Sequence, residues 1–120
     1  LLENKKPILK EINDESLNEL KHKVDYLMSS AVLYHIPPNE LETYFMNLLN
    51  LLNSQGKAFV DFTDGKETKK IAWATWIYSY YNLKAMINKL GGTTKLHKFP
   101  KNVTLQYPIA HRIMEIQHIR

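Results

Sequence analysis

Two short polar segments, Ser29-Ser30-Ala31 and Thr63-Asp64-Gly65, each follow an apolar run, and His35 comes four residues after the first of them. If the runs 24–28 and 57–62 are neighbouring parallel strands, both segments lie at the carboxyl edge of one sheet. That edge is where open α/β sheets bind ligands. Serine hydroxyls there can hold a polar ligand, or they can simply close the strand end. His35 is of the residue type best suited to exchange a proton with a hydroxyl. It can equally be a ring packed beside Pro37-Pro38 with backbone partners. Trp73, Trp76, Tyr78, Tyr80 and Tyr81 crowd the stretch 71–81. They read as the wall of an apolar pocket or as ordinary core and surface aromatics. His22, His97, His111 and His118 lack metal-ligand spacing, and residues seven apart on a strand face opposite ways. No metal site is expected. With no cysteine in the chain, a disulfide framework, a thiolate zinc site and a cysteine nucleophile are excluded.

The elements that must position these groups follow from the apolar pattern. Residues 24–28 and 57–62 are nearly continuous apolar runs, the pattern of strands buried on both faces of a parallel sheet. The double proline at 37–38 ends pairing and sets up a helix entry. Asn39 suits an N-cap, with Glu42 three residues on as in a capping box. Apolar residues at 41, 44, 45, 48, 49 and 52 then trace one helix face. The stretch 53–56 ends that helix, with Gly56 suited to a left-handed turn. Asp64-Gly65 marks a turn. Leu83, Met86, Ile87 and Leu90 mark a second helix, closed by Gly91-Gly92. Residues 93–99 and 109–119 read as strands able to pair antiparallel, joined by a loop over 100–108. Residues 7–12 read as a short strand ended by Asn13-Asp14, and 16–23 as a helical turn or loop.

The run Asp25…Ser29…Val32-Leu33…His35-Ile36-Pro37, followed by an amphipathic helix, Leu51-Leu52…Gly56, a strand with Val60-Asp61 and a helix ending in Gly-Gly, resembles class I S-adenosylmethionine-dependent methyltransferases. The resemblance covers roughly residues 8–119 and implies an α/β fold: the C-terminal half of a Rossmann-like methyltransferase sheet. A parallel βαβ unit would be followed by a helix and an antiparallel strand pair, the last strand inserted between its two predecessors. It implies S-adenosyl-L-methionine as cofactor and a small-molecule methyl acceptor. By resemblance, Ser29, Ser30 and Ala31 would line the methionine part and the transferring methyl group. Asp14, eleven residues before Asp25, or its neighbour Ser16, would bind the adenine amino group; an Asn-Asp turn is the other reading. His35 would be general base on an acceptor hydroxyl. Trp73, Trp76 and Tyr80 would line a lid or acceptor pocket, or meet the cofactor sulfonium by cation–π attraction.

One family feature is absent. The glycine-rich loop after the first strand is missing: the glycines are at 56, 65, 91 and 92, and none forms G-x-G. The chain therefore reads as a single partial domain: a lead-in over 1–23, a βαβ unit over 24–62, an aromatic lid or acceptor segment over 63–82, and a helix with terminal strands over 83–120. It starts at Leu1, and either a missing N-terminal half or a partner chain is expected to cover an otherwise open, apolar sheet edge. Such a piece alone would be inactive. The alternatives are a non-catalytic methyltransferase-like interaction module and a fragment of a nucleic-acid methyltransferase. The net charge is +4, with ten basic residues against three acids over 63–120. The lysines are scattered rather than clustered, which suits solvated faces better than a nucleic-acid patch. No apolar run is long enough to span a bilayer and no secretory signal is visible, so a cytoplasmic location without membrane partners is expected.

Overall fold

The computed structural model describes residues 14–97 and 110–119. The elements are α1 (Asp14–Glu19), β1 (Val24–Ser29), a 3-10 turn (Leu33–His35), α2 (Pro38–Leu51), β2 (Leu52–Asp64), β3 (Lys69–Ala72), β4 (Thr75–Ile77), α3 (Tyr80–Lys89), β5 (Gly92–His97) and β6 (Ala110–His118). The strand expected over 7–12 and the loop over 100–108 lie outside the described residues.

Four strands form one sheet in the order β1-β2-β6-β5. β1 and β2 run parallel, with Leu27 beside Ala58 and Ser29 beside Val60. β6 enters between β2 and β5, antiparallel to both. The fold is the expected α/β arrangement, including the inserted last strand. β3 and β4 form a separate antiparallel hairpin.

Period-2 alternation divides the sheet into two faces. Ala58, Val60 and Phe62 of β2 and Met114 and Ile116 of β6 join Leu41, Phe45, Leu48 and Leu49 of α2 and Leu83 and Ile87 of α3 in one buried cluster. Fully burying each large apolar side chain contributes roughly 1.5–3 kcal/mol, so this face sets the fold. On the other face, Tyr26 is 75% exposed and Met28 80%. β1 thus departs from the fully buried strand that its apolar run suggests: among the described residues it pairs only with β2.

Two helix boundaries differ from expectation. α2 is capped by Pro37 in extended backbone (ψ 157°), with Pro38 in its first turn and no side-chain cap. Asn39 is therefore inside the helix. Proline's fixed φ suits the first helical position, where its missing N–H is not needed. At the other end Leu52 is already extended, and β2 starts there. The stretch 53–56 is an irregularity in β2, not a helix terminator: between Val24 and Tyr26 of β1 the partner moves from Leu52 to Lys57. Asn53 shapes it, accepting from the Gln55 N–H at 2.9 Å and donating to Asp25. Gly56 is needed there for close approach, since a Cβ would sit 2.6 Å from the Val24 carbonyl oxygen. The left-handed glycine is instead Gly91 (φ 92°), just past α3.

Candidate functional site

Because β1 and β2 are parallel, Ser29 and Asp64 end at the same edge of the sheet. The chain turns sharply after β1 because Ala31 takes φ 60°. A left-handed alanine costs about 1–2 kcal/mol, so other contacts must hold it. Asp61, on β2, supplies them. Its Oδ1 accepts the Ala31 N–H at 2.8 Å and its Oδ2 accepts the Ser30 hydroxyl at 2.9 Å. From the helix side, the Tyr44 hydroxyl donates to Ser29 Oγ at 2.5 Å. Burial raises the Tyr44 pKa, the Ser29 bond lowers it, and the Asp61 charge raises it further. The phenol accordingly stays a donor. Ser30 and Ala31 are exposed above this clamp.

Leu33, fully buried, pins the 3-10 turn to the core. That leaves His35 exposed, with Nδ1 2.6 Å from the Ala74 carbonyl oxygen. A carbonyl only accepts, so the neutral ring carries its proton on Nδ1 and keeps a lone pair on Nε2. Ala74 is itself left-handed (φ 54°), between β3 and β4. Next to it Trp73 is 89% exposed. The aromatic stretch 71–81 is thus a hairpin leading into α3. Its root is tied to β2: the Tyr78 N–H donates to the Thr63 carbonyl (3.0 Å) and the Gly65 N–H to the Tyr78 carbonyl (3.2 Å). The Tyr78 hydroxyl donates to the Ile36 carbonyl, and burial pushes its pKa up to about 12.

The structure brings Ser29, Ser30, Ala31 and His35 to one edge and links His35 to the hairpin beside Trp73. Trp76 is half-buried against the core. Tyr80 turns inward: its ring stacks on Phe62 at 6.4 Å and its hydroxyl shares a hydrogen bond with Thr94. Asp14 opens α1, and its side chain lies outside the described residues. Among the described residues no group of three His, Asp or Glu could hold a metal ion. Sequence reasoning did not single out Asp61 or Tyr44. Asp61 reads as one polar residue in an apolar strand, and its partners are about thirty positions away.

By sequence, no family model matches the chain, and no curated protein does either. By structure, the chain is similar to a Burkholderia thailandensis 1,6-didemethyltoxoflavin-N1-methyltransferase solved with bound 1,6-didemethyltoxoflavin and S-adenosylhomocysteine. The TM-score is 0.69 at 15% identity, over 87% of this chain and 48% of that one. It is also similar to a Leishmania major S-adenosylmethionine-dependent methyltransferase, with a TM-score of 0.67 at 11% identity, over 81% of this chain and 39% of that one. A pericyclic reaction enzyme shares the sheet too, with a TM-score of 0.59 at 11% identity, over 79% of this chain and 26% of that one. The chain thus spans about half or less of the length of these proteins. Its fold matches part of the α/β sheet of these proteins, with the last strand inserted antiparallel between two others.

Proposed function

We propose that this chain forms the acceptor-side part of an S-adenosylmethionine-dependent methyltransferase that acts on a small molecule, completed by a further N-terminal half or a partner chain. The observation that carries this reading is the clamped turn at Ser29–Ala31. It is a strained, exposed turn at the carboxyl edge of a parallel strand pair, built from residues too small to block a ligand. Ser29, Ser30 and Ala31 would line the methionine part of the cofactor at its sulfonium and transferring methyl group. Asp14 would reach the adenine amino group. The glycine-rich and ribose-binding elements have no counterpart in this sequence and belong to the completing half.

Bound at the turn, the cofactor supplies an electrophilic methyl group on a sulfonium. His35 Nε2 accepts the proton from an acceptor hydroxyl, while the Ala74 carbonyl keeps Nδ1 protonated and the ring in place. General-base help of this kind contributes typically 10²–10⁴-fold. The hairpin, with Trp73 exposed and Trp76 behind it, covers the acceptor. Tyr80 serves the site indirectly, fixing the first turn of α3 to Phe62. The remaining catalysis is alignment of acceptor and methyl group.

Calorimetric titration of the chain with S-adenosylhomocysteine tests this reading. Weak binding, lost on Ala31→Trp, is the expected result. Absence of heat at millimolar ligand contradicts it. A second reading, a non-catalytic module that pairs through its sheet, draws on the exposed Tyr26 and Met28 and on β1, which among the described residues pairs only with β2. Sedimentation showing a stable dimer of a chain that binds no cofactor would favour it.

A further inference from the structure

The geometry points to Asp61 as a positioning residue that makes the strand-end turn selective for a cationic ligand; the selectivity rests on the functional reading above. Two hydrogen-bond donors of the turn are spent on this carboxylate. The Ala31 N–H goes to Oδ1 (2.8 Å) and the Ser30 hydroxyl to Oδ2 (2.9 Å). With its proton engaged, Ser30 Oγ can only accept from a ligand. Ser29 Oγ already accepts from Tyr44. No salt bridge engages Asp61 among the described residues. Ser29 keeps a hydroxyl proton of its own, and the turn rests on a carboxylate that no ion pair neutralises among the described residues. A negative charge at this place disfavours an anion at the turn and favours a sulfonium.

The same contacts hold Ala31 at φ 60°. Asp61 lies half-buried under the turn, on the sheet face that carries Met28 and Ile113, and acts through the turn without meeting the ligand's reacting atoms. Substituting asparagine keeps the size, removes the charge, and replaces one acceptor oxygen by a donor.

The test has two readouts on the full chain. The first uses no ligand: amide hydrogen exchange at Ala31 in wild type, Asp61→Asn and Asp61→Ala. The clamp predicts exchange at least about tenfold faster at Ala31 in the variants, with core amides of β2 and β6 unchanged. Unchanged exchange at Ala31 overturns the clamp. The second compares S-adenosylmethionine, which carries the sulfonium, with S-adenosylhomocysteine, which does not. Wild type is expected to prefer the sulfonium form. Asp61→Asn should weaken it about tenfold and the thioether about twofold or less, as removal of one nearby charge implies. Equal weakening of both ligands overturns the charge selectivity, because a merely structural role would act on both alike. If wild type binds neither ligand, the methyltransferase reading and the selectivity fall together, and exchange at Ala31 still decides for or against the clamp.

Discussion

Gly56→Ala is expected to destabilise the sheet and to loosen the turn at Ala31, which follows the far end of β1. An added Cβ would lie 2.6 Å from the Val24 carbonyl oxygen and 3.2 Å from the Asn53 nitrogen. Ordinary contact begins at 3.4 Å, so the first approach is short by 3.4 − 2.6 = 0.8 Å. The neighbour is backbone and cannot swing aside. Forced overpacking of this kind costs about 1–3 kcal/mol. The smaller entropy of an unfolded alanine returns roughly 0.4–1 kcal/mol. A net loss near 1–2 kcal/mol follows, or roughly 5–10 °C in Tm for a domain of this size. β1 is the element that yields, because among the described residues it pairs only with β2. Its carboxyl end carries Ser29, so the Ala31–Asp61 bond should weaken as well. Thermal and urea unfolding give the stability, and Ala31 amide exchange gives the turn. Gly91→Ala is the control: it is strained by φ 92° but has nothing within 4 Å, and it sits at the end of α3. It should lower stability without moving Ala31. A Tm for Gly56→Ala at or above wild type would refute the reasoning.

Other outcomes follow from the same contacts. Tyr44→Phe removes the donor to Ser29 and should cost about 0.5–1.5 kcal/mol, read by urea unfolding. Leu33→Ala, at a fully buried position, should cost about 2–5 kcal/mol in the same assay. Tyr78 is held protonated when folded, its pKa raised from 10 to about 12. The unfolded chain loses that proton first, so stability is unaffected by this group below pH 10 and falls between pH 10 and about 12. The slope is at most roughly 1.4 kcal/mol per pH unit, and Tyr78→Phe should flatten it in denaturation curves taken across that window. His35→Ala frees the Ala74 carbonyl, and faster depolarisation of tryptophan fluorescence should report a looser hairpin.

The buried face of the fold was legible in the sequence. The periodic stripe of α2 and the two apolar runs gave the parallel pair, and Gly91-Gly92 marked the end of α3. The start of β2 was not legible, because Asn53-Ser-Gln-Gly56 has the composition of a turn. Its contacts with β1, the Asn53–Asp25 hydrogen bond and the Val24 carbonyl packed against Gly56, show that this stretch belongs to the strand. The hairpin was hidden for a related reason: aromatic density between 71 and 81 signals burial but carries no strand period. Of the candidate site, the rule that ligands meet the carboxyl ends of parallel strands marked Ser29 to Ala31, and the family resemblance marked His35. Asp61 did not, since its role depends on a pairing register that places it beneath a turn thirty residues earlier. Tyr44 looked like one more apolar position of the helix stripe, and its hydroxyl found Ser29 only once the helix was packed.

The central claim is that the strand-end turn is a cofactor site, and amide shift mapping tests it most directly. Nitrogen-labelled chain would be titrated with S-adenosylhomocysteine to millimolar concentration. The account predicts that the largest shifts fall on Ser29, Ser30 and Ala31, with smaller ones at His35 and Ala74. Shifts confined to the exposed face around Tyr26 and Met28, or no shifts at all, would contradict it.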